Sequence, residues 1–227
     1  MKQLYIKCIR IIKYVMLKIK IIQLLENFLS IQFILFIRTL FSIYDIEDLV
    51  YLDLPWWTFK SKNYIESFLK NLDGNAVVFE YGPGASTIWL SKRCKNIYYV
   101  EHDESFFNYL SKLTKNYKNI EGYFEKPKKS KKITKYPISG HKNYKNLDFS
   151  NYVNKIKKIN KKFDLIIIDG RSRTYCLKES LKHLKENGLI LFDNTLRKRY
   201  QESFNNENVD ILRLKGITPG LPYLEET

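Results

Sequence analysis

Residues 77 to 93, VVFEYGPGASTIWLSKR, combine a carboxylate, two glycines and two hydroxyls where the pattern changes from apolar run to helix. Glu80 and Tyr81 close the run, Gly82 and Gly84 turn the chain, and Ser86 and Thr87 open the helix. Glycines at such a turn let the backbone approach a ligand and leave amide hydrogens free at the helix start. Three further apolar runs end in an acid: IYYVE at Glu101, LIIID at Asp169 and LILFD at Asp193. In an open parallel sheet, ligands bind beyond the carboxyl ends of the strands, so four acids and the glycine turn on that rim mark a site.

Two ligands compete for the turn. A dinucleotide fingerprint wants a third glycine where this chain has Thr87. Glu80 would also repel a pyrophosphate, whereas a carboxylate suits a ligand carrying an ammonium and a sulfonium, such as S-adenosylmethionine. Glu101, about 20 residues past the turn, can accept hydrogen bonds from both ribose hydroxyls, a role that dinucleotide sites fill in the same way. His102 adjoins it and is expected to line the same ligand.

The elements that must hold these residues follow from the pattern. The four runs are short, rich in β-branched and aromatic residues, and do not alternate, the habit of strands buried on both faces of a parallel sheet. Helices are expected over 58–72, with Gly74 as the stop, over 86–94, and over 175–186, with Gly188 as the stop. The fold class is alternating α/β.

FEYGPGAST, the acid in YYVEH, FDLIIIDG and GLILFDN resemble, in order and spacing, the motifs of class I S-adenosylmethionine-dependent methyltransferases. The resemblance runs over residues 54 to about 226. It implies a Rossmann-like three-layer sandwich with a mostly parallel, seven-stranded sheet. It places Glu80, Gly82, Gly84 and Ser86 around the methionine portion of S-adenosyl-L-methionine and Glu101 at the ribose, with Tyr81, Thr87, His102 and Asp169 completing the cofactor set. A lysine-rich insertion at 126–162 stands where the family carries an adenine contact, which leaves that contact unassigned. The last antiparallel strand is expected to be short.

The acceptor is read from what surrounds the strand ends. Enzymes that methylate base amines carry an N/D-P-P-aromatic turn after the fourth strand; this chain has DGRSR, which disfavours nucleic acid and leaves a hydroxyl. Asp169, Asp193 and Asn194 offer three hard oxygens of the type that suits Mg²⁺ or Ca²⁺. LFDNTL is similar to the metal-binding turn of catechol and caffeoyl-CoA O-methyltransferases. The alternative is that Asp169 orients a loop and Asp193–Asn194 is an Asx turn. Asp169 or His141 is the expected catalytic base; His183, in the last turn of a helix, is explained by the helix dipole. Arg171, Arg173, Arg197 and Arg199 suit a phosphate or carboxylate on the acceptor, and Trp56 and Trp57 either wall the pocket or pack in the core.

A formal charge of +15 names no partner by itself, because Lys, Ile, Asn and Tyr are over-used together, as in an AT-biased coding sequence. Cys8, Cys94 and Cys176 form no C-x-x-C pair and fit a reducing compartment. Residues 1–25 read as a basic amphipathic helix, with Leu4, Cys8, Ile11, Ile12, Val15, Met16, Ile19 and Ile22 on the apolar half. Ile6, Leu17, Ile21 and Leu24 are exceptions on the basic half. FLSIQFILFIRTLFSI falls short of the ~20 residues that a membrane span needs, and no signal-peptide pattern is present. The expected organisation is a helical extension at 1–50 and a methyltransferase domain at 51–227. The extension lies on the inner membrane face, or packs on the domain or on a second subunit of a homo-oligomer. The expected function is a cytoplasmic O-methyltransferase for a small or glycan-linked anionic acceptor. The alternatives are an NAD(P)-dependent oxidoreductase and a non-catalytic adaptor that binds membrane or RNA.

Overall fold

The computed structural model describes residues 2–129, 137–144, 146–204 and 209–227. Helices α1 (Lys2–Lys18), α2 (Ile21–Glu26), α3 (Gln32–Thr39), α4 (Ile46–Tyr51) and α5 (Phe59–Asn71) precede the first strand, β1 (Val77–Tyr81). Then come α6 (Ala85–Ser91), β2 (Asn96–Glu101), α7 (Glu104–Leu113) and β3 (Ile120–Phe124). A small antiparallel ladder of β4 (Lys128–Lys129) and β5 (Leu147–Asp148) leads to α8 (Ser150–Val153) and α9 (Lys155–Ile159). The chain continues through β6 (Phe163–Ile168), α10 (Arg173–Leu181), β7 (Leu184–Phe192) and α11 (Lys198–Gln201), and ends in a hairpin of β8 (Lys215–Ile217) and β9 (Leu224–Glu226).

The central sheet has the order β3-β2-β1-β6-β7 and every pairing in it is parallel. Its strands alternate between two cores. Phe79, Tyr81, Val100, Ile166 and Ile168 pack on one side with Tyr152, Ile156 and Leu177, whereas Val78, Ile97, Leu165 and Ile167 pack on the other with Trp57, Leu69 and Trp89. This is a Rossmann-like three-layer sandwich with helices at its N-terminus. The sheet holds five strands where the family resemblance implied seven, because the C-terminal residues form the separate β8–β9 hairpin.

Three boundaries depart from the sequence expectation. The amphipathic helix breaks at Lys20, whose left-handed φ of 60° starts α2. Helix α10 ends at Leu181 instead of 186, because the chain is already beside Phe163 at Leu184, and Gly188 lies inside β7. The proposed boundary at residue 50 falls within α4, whose Leu49 is buried with Leu54, Phe59 and Ala85. Residues 1, 130–136 and 145 of the expected extension and insertion lie outside the described residues. The end of that insertion is core, since Phe149, Tyr152, Val153 and Ile156 are all buried.

Candidate active site at the strand ends

Strand register brings the site together. Tyr81 pairs with Val100 and Ile168, and Ile168 pairs with Phe192, so the next residues, Gly82, Glu101, Asp169 and Asp193, form one row across four strands. Backbone bonds from Gly82 to Val100 (3.2 Å), Asp169 to Tyr81 (3.0 Å) and Asp193 to Ile168 (3.2 Å) carry the ladder to that row. The sheet reverses its winding between β1 and β6, the topological switch point where such folds bind ligands. There Gly82, with φ +82°, lies against the backbone of Gly170, which a Cβ would strike.

A cavity of about 820 Å³ opens above this row. Glu101 is 4% exposed. Its Oε1 accepts the backbone N–H groups of His102 and Asp103, both at 2.7 Å. The carboxylate is therefore oriented by its own turn. His102 lines the cavity beside it; its Nδ1 stands 2.6 Å from Glu101 Oε1, outside hydrogen-bond geometry. Ser86 also lines the cavity, and its hydroxyl donates to Glu80.

Glu80 is not on the ledge. Two residues short of the strand-end row, it is 0% exposed, and its oxygens accept the hydroxyls of Ser86 and Thr87 (2.6 Å for the latter). Burial pushes its pKa up to about 8, the two hydroxyl bonds oppose the rise and Asp169 adds to it. Thr87 also receives the Gly84 N–H at 3.0 Å. Glu80 and Thr87 thus brace the glycine turn from beneath. Tyr81 is likewise core, its hydroxyl donating to the Val153 carbonyl at 2.7 Å.

The residues expected to hold Mg²⁺ do not fit it. Arg173, 4% exposed, lies among them: Nη2 donates to Asp169 Oδ1 and to the Asp169 carbonyl, both at 2.6 Å, and Nε donates to the Gly170 carbonyl at 3.0 Å. Its Nη1 donates to the Asp193 carbonyl and stands 3.9 Å from Asp193 Oδ2. The guanidinium already occupies the place of the cation, and the Thr227 hydroxyl takes Asp193 Oδ1 at 3.0 Å. Asn194 has the left-handed φ of 58° that suits a turn. Among the described residues no group of three His, Cys, Asp or Glu side chains is placed to hold a metal. Burial and the Asp169 charge push Asp193 up to about 8, and burial raises Asp169 too, against the pull of Arg173. With Asp193 the more buried, it keeps the proton, and Asp169, about a quarter exposed and paired with Arg173, carries the charge.

The remaining candidates separate. Arg171 and Arg197 line the cavity; Arg171 lies 5.3 Å over the ring of Tyr144 and its buried Nε has no partner among the described residues. Arg173 touches the cavity, but its donors are spent on Asp169, Gly170 and Asp193. Arg199 stacks on Tyr200 at 4.7 Å and is not on the cavity wall. Trp56 is on the wall, edge-on to Tyr44 at 4.8 Å, whereas Trp57 is 1% exposed in the core against Trp89. His141 is off the wall, 5.5 Å from the ring of Tyr144; burial first, then Arg171, Arg199, Lys142 and Arg197, lower its pKa.

The sequence reading missed the roof. Tyr44, Ile46 and Leu49 from the N-terminal segment and Thr218, Leu221 and Tyr223 from the C-terminal hairpin cover the cavity. Only their aromatic and apolar density hinted at burial, and nothing local said against what. A second cavity of about 620 Å³ follows the outer edge of β7, away from the glycine turn and the strand-end acids.

No family model and no curated protein matches the chain. Among solved structures, a methyltransferase-like protein from Silicibacter pomeroyi is 16% identical, covers 72% of this chain and 82% of its own, and has a TM-score of 0.47. An rRNA methylase from Streptococcus thermophilus is 10% identical, covering 72% and 90%, with a TM-score of 0.47. TYW2 of M. jannaschii, in complex with AdoMet, is 14% identical, covering 76% and 74%, with a TM-score of 0.43. What the site can do is decided by its own chemistry.

Proposed function

We propose that this chain is an S-adenosylmethionine-dependent methyltransferase that acts on a hydroxyl of a small or glycan-linked anionic acceptor. The observation that carries the reading is the set of acids around the glycine turn of one cavity. Glu101, Asp103 and Asp169 line it with Gly82 and Gly84, Asp193 and Glu225 are further acids on its wall, and Arg171 and Arg197 line it after β6 and β7. A pyrophosphate-bearing dinucleotide would meet the acids, whereas a ligand with ammonium and sulfonium charges is favoured by them. The oriented carboxylate of Glu101 suits a ribose diol. The arginines beside Tyr144 suit an acceptor carrying phosphate or carboxylate.

When bound, the sulfonium would supply an electrophilic methyl group to the acceptor hydroxyl and leave as the neutral thioether. Glu101 would hold the ribose, and Asp169, the ionised member of its pair, would receive the hydroxyl proton. Such a displacement asks the protein chiefly for alignment, which the fixed strand ends supply.

Calorimetry with S-adenosylmethionine and with NAD tests the reading. S-adenosylmethionine should bind and NAD should not. Glu101→Ala should weaken binding about tenfold to a hundredfold, the worth of hydrogen bonds to a charged group. NAD binding alone would make the chain an oxidoreductase, and silence with both ligands would favour the adaptor. An acceptor panel with labelled methyl donor then tests the arginines: Arg171→Ala should raise KM for an anionic acceptor more than it lowers kcat.

A further inference from the structure

Helix α1 has two apolar faces, and its own protein uses only one. It docks through half-buried Ile6, Ile9 and Met16, with Lys13 reaching Asp45 at 2.9 Å and Asp48 at 2.8 Å. Most of the residues that the sequence assigns to the apolar half face solvent instead. Leu4 is 67% exposed, Ile11 56%, Ile12 46% and Val15 48%, and Ile19, just past the helix, 57%. At 100° per residue these five span a sector of about 100° between the docked face and a border of Lys18, Lys7 and Arg10. The helix contains no acid.

We infer that this second face is an interfacial membrane-binding surface that takes an anionic lipid bilayer. An apolar stripe bordered by cations is the arrangement that sinks into the acyl boundary while its lysines stay among the headgroups. The bordering charges decide the occupant. A two-fold contact with a second copy would set a basic border against its own equivalent with no acid on the helix to offset it, whereas an anionic surface supplies the complement. Among the described residues no helix is long and apolar enough to cross a membrane, so α1 lies on the surface. The inference does not depend on the cofactor or on methyl transfer.

The test is flotation of the full chain with vesicles of phosphatidylcholine and phosphatidylglycerol, compared with phosphatidylcholine alone, at low and high salt. The chain should float with the anionic vesicles at low salt and much less with the neutral ones. Lys7→Gln and Lys18→Gln should each weaken partitioning about fivefold. The double variant Ile11→Asp, Val15→Asp should abolish flotation while Tm and near-ultraviolet dichroism stay unchanged, since both side chains are exposed. Point variants are needed because removal of residues 1–50 would take Leu49 out of the core. A chain that fails to float with anionic vesicles, or a double variant that floats undiminished, would overturn the inference. So would sedimentation showing a dimer that the double variant dissolves, with no vesicle binding by the parent.

Discussion

Glu80 and Glu101 end similar apolar runs and have opposite fates, which the pairing register explains. Glu101 is level with Gly82 on the strand-end row, while Glu80 sits two residues back in the ladder, where the hydroxyls of Ser86 and Thr87 in α6 bond it. The buried acid makes stability depend on pH. A carboxyl free in the unfolded chain titrates near 4.5 and folded Glu80 near 8. Between those values the folded chain holds a proton that the unfolded chain has released. Stability from this group is therefore complete below 4.5 and is lost as pH rises through about 8. Glu80→Gln should flatten the decline by up to one proton, about 1.4 kcal/mol per pH unit, in denaturant titrations run between pH 5 and 8.

At the level of elements, the N-terminal helices are tied to one another by Arg38, at 2% exposure among acids. It bonds Glu26 at 2.8 Å, Asp48 at 2.9 and 2.8 Å, and Ser42 at 3.3 Å, joining α2, α3 and α4. Burial alone would raise Asp48; Arg38, Lys13 and Ser42 overcome it and hold the carboxyl down to about 2. Arg38→Met should destabilise the chain by about 3 kcal/mol in urea unfolding, because it strands two poorly solvated carboxylates. Asp48 contributes its share in full above 3.8 and loses it as pH falls through about 2, so acid should erode the parent more than the variant. Arg38 stands out in the sequence as a lone charge in an apolar stretch, but its acidic partners, Glu26 and Asp48, lie on other helices, so their meeting was not readable there.

Over the whole molecule, both ends of the chain close one cavity. Gly220 has φ +76°, and a Cβ there would stand 3.3 Å from the Cα of Ile43 and 3.5 Å from the Thr39 carbonyl. The C-terminal hairpin is held in turn just past β7, where Thr195 donates its backbone N–H to the Glu226 carbonyl at 2.9 Å and its hydroxyl to the Glu226 carboxylate at 2.7 Å. Gly220→Val, a β-branched residue in left-handed backbone against Ile43, should part the two segments. The expected outcome is about tenfold weaker S-adenosylmethionine binding, the affinity equivalent of about 1.4 kcal/mol of lost ordering, with a Tm lowered by a few degrees, read by calorimetry and thermal melts.

The sequence alone determined the α/β class, the parallel strands, the glycine turn and the ledge on which Glu101, Asp169 and Asp193, though not Glu80, meet. Each of these depends on local periodicity, or on the rule that parallel strands deliver their carboxyl ends to one side. Only tertiary structure decided which chemistry-bearing residues face the cavity. Glu80 became a brace, Arg173 took the place given to a metal, Trp57 went to the core, and most of the expected apolar half of α1 faces solvent. Those outcomes turn on register, and on which distant segments arrive to satisfy a buried charge. Neighbours in the chain cannot specify either.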